Sequence, residues 1–278
     1  MKRIDDYALI GDCETAALIG RNGAIEWLCW PNFSSPACLA ALLGNDHNGT
    51  WRISATDRSA RSKRRYRPDT LILETLIETS EGSALVTDFM PIRNGSSNVV
   101  RILEGVSGST EMCNALRLRF DYGRLSPIFR DNPDGFEALA AQHGVRLVGD
   151  EPIKRNSDGG CDTVVTLASG ERRAFVMTYF SAFETPPPRI DPFEALEQTE
   201  QYWRRWCARC KYEGPWRDAV MRSLITMKAL IYRPSGAIAA APTSSIAEQR
   251  GGVGVWDYRF CWLRDATFTL LALLHAGY

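Results

Sequence analysis

T-L-I-L-E-T-L-I-E-T (Thr70 to Thr79), followed by Glu81-Gly82 and then S-A-L-V-T-D-F-M (Ser83 to Met90), is the stretch on which the fold turns. In an extended chain a period of two puts Leu71, Leu73, Thr75, Ile77 and Thr79 on one face, and Glu74 and Glu78 on the other. Two such runs joined by Glu-Gly predict an antiparallel hairpin with one face toward a core and one toward water. Similar runs stand at Val99 to Val106, Ala115 to Tyr122, Val145 to Gly149, Thr163 to Ala168 and Arg173 to Phe180, separated by Gly, Asn, Asp and Pro. That many short strands at such spacing predict an antiparallel β-sandwich over residues 1–185.

The three prolines Pro186, Pro187 and Pro188 end the β pattern, because they donate no ladder hydrogen bonds and favour an extended spacer. Asp191-Pro192 then reads as an N-cap with proline at the first helical position, and Phe193, Leu196, Trp203 and Trp206 recur at near-helical spacing. Residues 186–214 are therefore expected to form a helical linker. Pro215 opens a further helical pattern in which Ala219, Leu224, Met227, Leu230 and Ile231 make an apolar stripe. The last segment, D-A-T-F-T-L-L-A-L-L-H-A-G-Y, has Asp265 as N-cap or first-turn acid and Gly277 as a C-terminal glycine. Its apolar residues cover nearly the whole circumference, which predicts burial on all sides. At about 11 to 12 residues per helix plus connections, residues 215–278 yield two or three helices, too few for a closed helical domain.

Lys plus Arg and Asp plus Glu number 33 each, so no net field draws the chain to nucleic acid or to an anionic membrane, and an uncharged partner is expected. The basic run Arg58 to Arg67 is expected to be a solvated loop. The charged start, M-K-R-I-D-D, leaves no room for a signal h-region, and no window reaches the roughly 18 uncharged apolar residues of a membrane span. Eight irregularly spaced cysteines suit reduced, mostly buried thiols, and the expected location is the cytoplasm. Cys207 and Cys210 form a C-x-x-C without a second pair at metal-ligand spacing, and neither a metal nor a cofactor is implied. His47, His143 and His275 are scattered, and His275 near a helix end suits a dipole role.

The densest chemistry is G-G-V-G-V-W-D-Y-R-F-C-W-L-R-D-A (Gly251 to Ala266). Aromatic faces stack on the C–H faces of a pyranose, and fixed Asp and Arg side chains hydrogen-bond its hydroxyls. The same composition also serves packing aromatics, with Arg259 or Arg264 paired structurally to Asp257 or Asp265.

This segment resembles the W-D-Y-R-[YF]-C-W-x-R-D-A signature of glycoside hydrolase family 15, and A-A-P-T-S-S-I-A-E-Q-R-G-G before it resembles that family's A-P-T-[TS]-S-L-P-E-x-x-G-G. Gly254-Val255 replaces the Arg-Asn common before Trp-Asp, and Ile246-Ala247 replaces Leu-Pro. Ile4 to Gly44, with L-V-T-D-F-M-P (Leu85 to Pro91) and L-R-F-D-Y-G-R (Leu118 to Arg124), resembles the family's trehalase-like N-terminal β domain. The resemblance implies a β-sandwich, a helical linker and the first helices of an (α/α)6 barrel, the last over residues 215–278. It implies inverting hydrolysis of terminal α-glucosidic bonds, in trehalose or a maltooligosaccharide, with release of glucose. Carried over residue by residue, Arg264 and Asp265 hold the far hydroxyls of one glucose, Trp262 walls it, Tyr258 stands near the attacking water, and Trp256 and Asp257 complete the cradle. Glu248 matches a loop glutamate of the motif. The general acid and base are glutamates on later barrel loops, beyond residue 278, so no catalytic residue is named and the chain by itself is expected to be inactive. A non-catalytic carbohydrate-binding or partner-binding β-sandwich is the alternative reading.

Overall fold

The structure, a computed structural model, describes residues 3–156, 160–244 and 256–278. In chain order the strands are β1 (Tyr7–Gly11), β2 (Ala16–Gly20), β3 (Ala24–Cys29), β4 (Ala37–Leu39), β5 (Thr50–Ala55), β6 (Arg61–Tyr66), β7 (Leu73–Glu78), β8 (Gly82–Phe89), β9 (Asn98–Arg117), β10 (Ile128–Asn132), β11 (Gly135–Ala140), β12 (His143–Gly149), β13 (Cys161–Ala168) and β14 (Arg172–Ser181). The helices α1 (Pro192–Cys207), α2 (Arg217–Ala229) and α3 (Leu263–His275) follow.

The expected hairpin is β7–β8, with Leu73 opposite Asp88 and Glu78 opposite Ser83. All strand pairs are antiparallel, and the sheet is organised around β9. The first half of β9 lies between β8 and β14 (Val100 opposite Phe89 and Val176), and its second half lies between β5 and β13 (Met112 opposite Ala55 and Val165). One layer is thus β1-β2-β3-β5-β9-β13, with β4 on β3, and the other is β6-β7-β8-β9-β14-β12-β11-β10. Ile25, Trp51, Ile53 and Met112 of the first layer pack with Leu73, Val86, Leu103, Leu147 and Phe175 of the second in one buried core. Val99 to Val106 and the start of the later run, Ala115 to Arg117, therefore belong to one continuous strand, while the rest of that run, to Tyr122, lies beyond it. The polar stretch Ser107 to Ser109 reads locally as a turn, but it is the exposed bend at which β9 passes from one layer to the other. Gly105 is required there, since a Cβ on it would come within 2.1 Å of the Ala168 carbonyl oxygen.

Two expectations fail, the first because a helix covers a sheet face. Glu74 is buried, not solvated, and its carboxylate takes Arg65 at 3.1 Å and Arg67 at 2.6 Å, while Arg67 also pairs with Glu200 of α1. Helix α1 lays Ala195 and Leu196 against Ile72, Phe89, Val100 and Val176, so the outer face of the second layer is apolar where water was expected. The basic run is no loop either: it contains edge strand β6, whose Lys63 and Arg65 pair with Glu78 and Glu74 of β7.

Asp191 caps α1 by accepting from the Phe193 and Glu194 N–H groups, with Pro192 at the first position. Helix α2 starts at Arg217, after Pro215, and buries Met221, Leu224, Ile225 and Ala229 in place of the anticipated stripe through Ala219. Met221, Ile225 and Ala229 meet Trp203, Cys207, Cys13 and Leu71, and so tie the helices to the sheet, while Leu224 meets Leu273 and Ala276. Helix α3 departs furthest from expectation. Leu273 is buried, but Leu263 is 87 % exposed, Phe268 66 % and Leu274 67 %, because the described residues, α2 with Trp206 and Cys210, cover one side of it. Gly277 follows α3 with φ +94°, as anticipated. The three helices form no closed barrel among the described residues. No described helix is long and apolar enough to cross a membrane, and all eight cysteines are free thiols.

Candidate functional site

The segment 256–262 runs antiparallel to residues 239–244 before entering α3. Isolated bridges join Asp257 to Ser244 and Cys261 to Ala239, and the N–H groups of Ala240 and Ala241 donate to the carbonyls of Phe260 and Tyr258. The anticipated Glu248, like the whole of residues 245–255 with Ile246-Ala247 and Gly254-Val255, lies outside the described residues.

Within this segment three of the motif's four aromatics converge. The Tyr258 and Trp262 rings stack with centroids 5.3 Å apart and planes 26° apart, and Trp256 meets Trp262 edge-on at 5.7 Å. The Trp262 indole N–H donates to the Asp257 carbonyl at 3.0 Å, which fixes the ring on the loop. Trp262 is also the residue from which α3 starts, so Arg264 and Asp265 fall in the helix's first turn. Their side chains pair with each other at 3.1 Å, and Arg264 is 65 % exposed. Asp265 Oδ2 is shielded at the positive end of the helix, and its partner among the described residues is the Arg264 guanidinium.

Asp257 behaves differently. Its Oδ1 accepts from the backbone N–H and Nε of Arg259, each at 3.0 Å, and its Oδ2 accepts from Arg259 Nη2 at 2.7 Å. Burial pushes the Asp257 carboxyl up, but these bonds and the guanidinium charge outweigh it and hold the group below its ordinary value. Arg259 Nη1 donates to the Ser35 carbonyl at 2.8 Å and to Cys29 Sγ at 3.5 Å, both in the β domain. Burial raises the Cys29 thiol to about 12 even against the neighbouring guanidinium, so it stays protonated. A second tie runs from Trp27 of β3, whose indole N–H donates to the Pro242 carbonyl at 2.8 Å.

The structure therefore brings Trp256, Tyr258 and Trp262 together, sets Arg264 and Asp265 in the turn that follows, and turns the Asp257 carboxylate toward Arg259. A concavity of about 190 Å³ beside the loop takes Phe260, Cys261 and Arg259 together with Phe33 and Tyr232, but not Arg264 or Asp265. Sequence reasoning placed Arg259 only as a possible structural ion pair and gave no sign of its sheet partners, which lie 224 and 230 positions away. Among the described residues no group of three His, Cys, Asp or Glu side chains could hold a metal.

Residues 1–175 match the family described as trehalase-like, N-terminal, and residues 214–278 match glycosyl hydrolases family 15. A trehalase of Thermoplasma volcanium is 29 % identical across 99 % of this chain and 45 % of its own length. A trehalase of Mycolicibacterium smegmatis is 31 % identical across 99 % of this chain and 45 % of its own. The chain spans about half the length of the curated relatives it matches. A bacterial glucoamylase solved in complex with acarbose superposes with a TM-score of 0.61 over 87 % of this chain and 43 % of that one, at 12 % identity, a likeness of fold.

Proposed function

Since the chain belongs to the trehalase-like N-terminal family and carries a family 15 glycosyl hydrolase segment, we propose that it serves the hydrolysis of terminal α-glucosidic bonds, in trehalose or a short maltooligosaccharide. Residues 1–185 act as the β domain, 186–214 as the linker, and 215–278 as the opening of an (α/α)6 catalytic domain. The observation that carries this reading is the aromatic stack of Tyr258, Trp262 and Trp256 standing beside the exposed Arg264–Asp265 pair.

One glucosyl ring lies against the indole of Trp262, C–H face to π face. Arg264 donates to the far hydroxyl oxygens, and Asp265, beside its ion pair with Arg264, accepts from a hydroxyl proton. Tyr258 stands on the side from which water attacks. Inversion needs a general acid and a general base about 6.5 to 9.5 Å apart with water between sugar and base, and we assign both to glutamates outside residues 1–278. The 278-residue chain then holds an α-glucoside without cleaving it.

Calorimetric titration of the purified chain with trehalose, maltose and maltotriose tests this. Arg264→Ala and Asp265→Asn should each weaken binding by about tenfold or more, the size of a lost charge-assisted hydrogen bond. Unchanged affinity in Arg264→Ala would refute the holding role. Glucose release by residues 1–278 would refute the placement of the acid and base.

A further inference from the structure

Arg259 sits at the centre of the loop assigned to the sugar, but its side chain leaves that loop and enters the β domain. It is only 8 % exposed. One edge of its guanidinium grips both oxygens of Asp257, and Nη1 reaches the Ser35 carbonyl and Cys29 Sγ. Its carbon centre lies 5.8 Å from the ring of Tyr122, which itself packs beside Trp27. We infer that Arg259 is a positioning residue through which the β domain sets the shape of the glucosyl cradle, with Asp257 as the link; this rests on the sugar-holding role proposed above.

The chain of contacts is short. Arg259 fixes Asp257 by side chain and backbone, and the Asp257 carbonyl fixes the Trp262 indole N–H. The Trp262 ring in turn carries the stacked Tyr258 and the edge-on Trp256, and Trp262 begins α3, on which Arg264 and Asp265 stand. A fork is required because Asp257 and Ser35 belong to different parts of the fold and must be held at once. A planar guanidinium does this with fixed donors, whereas a lysine ammonium is a point charge that cannot span both. The sheet is thus part of the sugar site's geometry although none of its side chains need touch sugar.

The test uses the 278-residue chain with Arg259→Lys, Asp257→Asn and the double variant, read by near-ultraviolet circular dichroism and by titration with maltose and trehalose. Each single variant should lose near-ultraviolet intensity from the Tyr258–Trp262 stack and bind α-glucoside about tenfold more weakly, with the far-ultraviolet spectrum unchanged. Because the two residues act as one unit, the double variant should lose no more than the worse single variant. Near-ultraviolet spectra of the single variants that superpose on the parent, or losses that simply add, would overturn the inference. Should Arg259→Lys fail to fold, Asp257→Asn decides the matter alone, since that carboxylate is partly solvated. If the parent chain binds no α-glucoside, or Arg264→Ala binds as well as the parent, the sugar reading fails, and the aromatic spectrum still judges the positioning role.

Discussion

Arg101 has no exposed surface, and its guanidinium bonds Asp88 Oδ1 at 2.8 Å, the Trp51 carbonyl at 2.8 Å and the Gly23 carbonyl at 2.7 Å. Its partner Asp88 is 1 % exposed, so removal of the cation strands a carboxylate in the core. Arg101→Met should therefore cost about 3 to 5 kcal/mol in urea unfolding, and a loss below about 1 kcal/mol would show that Asp88 finds another partner. Asp257 gives a prediction in pH. Burial acts to raise its carboxyl, the bonds from Arg259 prevail, and the folded value lies below the ordinary 3.8. A depressed carboxylate adds stability that is present above the unfolded value and disappears as pH falls through the folded one. The near-ultraviolet signal of the site aromatics should hold from neutrality down to about pH 4 and decay only below it, and a decay centred near neutral pH would contradict this. At this scale the motif drew attention to Trp256 to Asp265 through residue type and resemblance. That Arg259 reaches Ser35 and Cys29, and that Arg67 beside the buried Glu74 also holds Glu200 of α1, depended on partners far away in the chain.

Helix α3 presents Leu263, Phe268, Leu270, Leu271 and Leu274 to solvent. A contiguous apolar face of this kind drives association. The chain should show concentration-dependent self-association by light scattering, reduced by Phe268→Asp together with Leu274→Asp; a monodisperse monomer at high concentration would count against it. The same helix shows how far periodicity reaches. Its apolar circumference announces a helix, but the burial on all sides expected from it is absent among the described residues, because what covers a face is not written in the helix itself. Strand β9 teaches the converse. Its Ser107 to Ser109 stretch resembles a turn, yet the ladder continues, because β8 and β13 supply partners on either side of the bend.

At the scale of the molecule, Trp203 is the element that makes sheet and helices one body. Fully buried, it packs with Cys13 and Leu71 from the β domain and with Met221, Ile225 and Ala229 from α2. Trp203→Ala should cost about 3 to 5 kcal/mol, and the strand and helix signals in far-ultraviolet circular dichroism should fall together as temperature rises. Separate transitions would mean that the two parts fold independently.

What the sequence by itself determined was local: the hairpin at Thr70 to Met90, the capped start of α1 at Asp191-Pro192, the glycine after α3, and the residue types of the motif. Each of these follows from the chirality and periodicity of a few adjacent residues. Tertiary structure alone decided that β9 is one bent strand, that α1 buries Glu74, and that Arg259 joins the loop to Cys29 and Ser35. Those outcomes rest on close packing and on satisfying buried polar groups between segments hundreds of positions apart, where no short-range pattern records the partner.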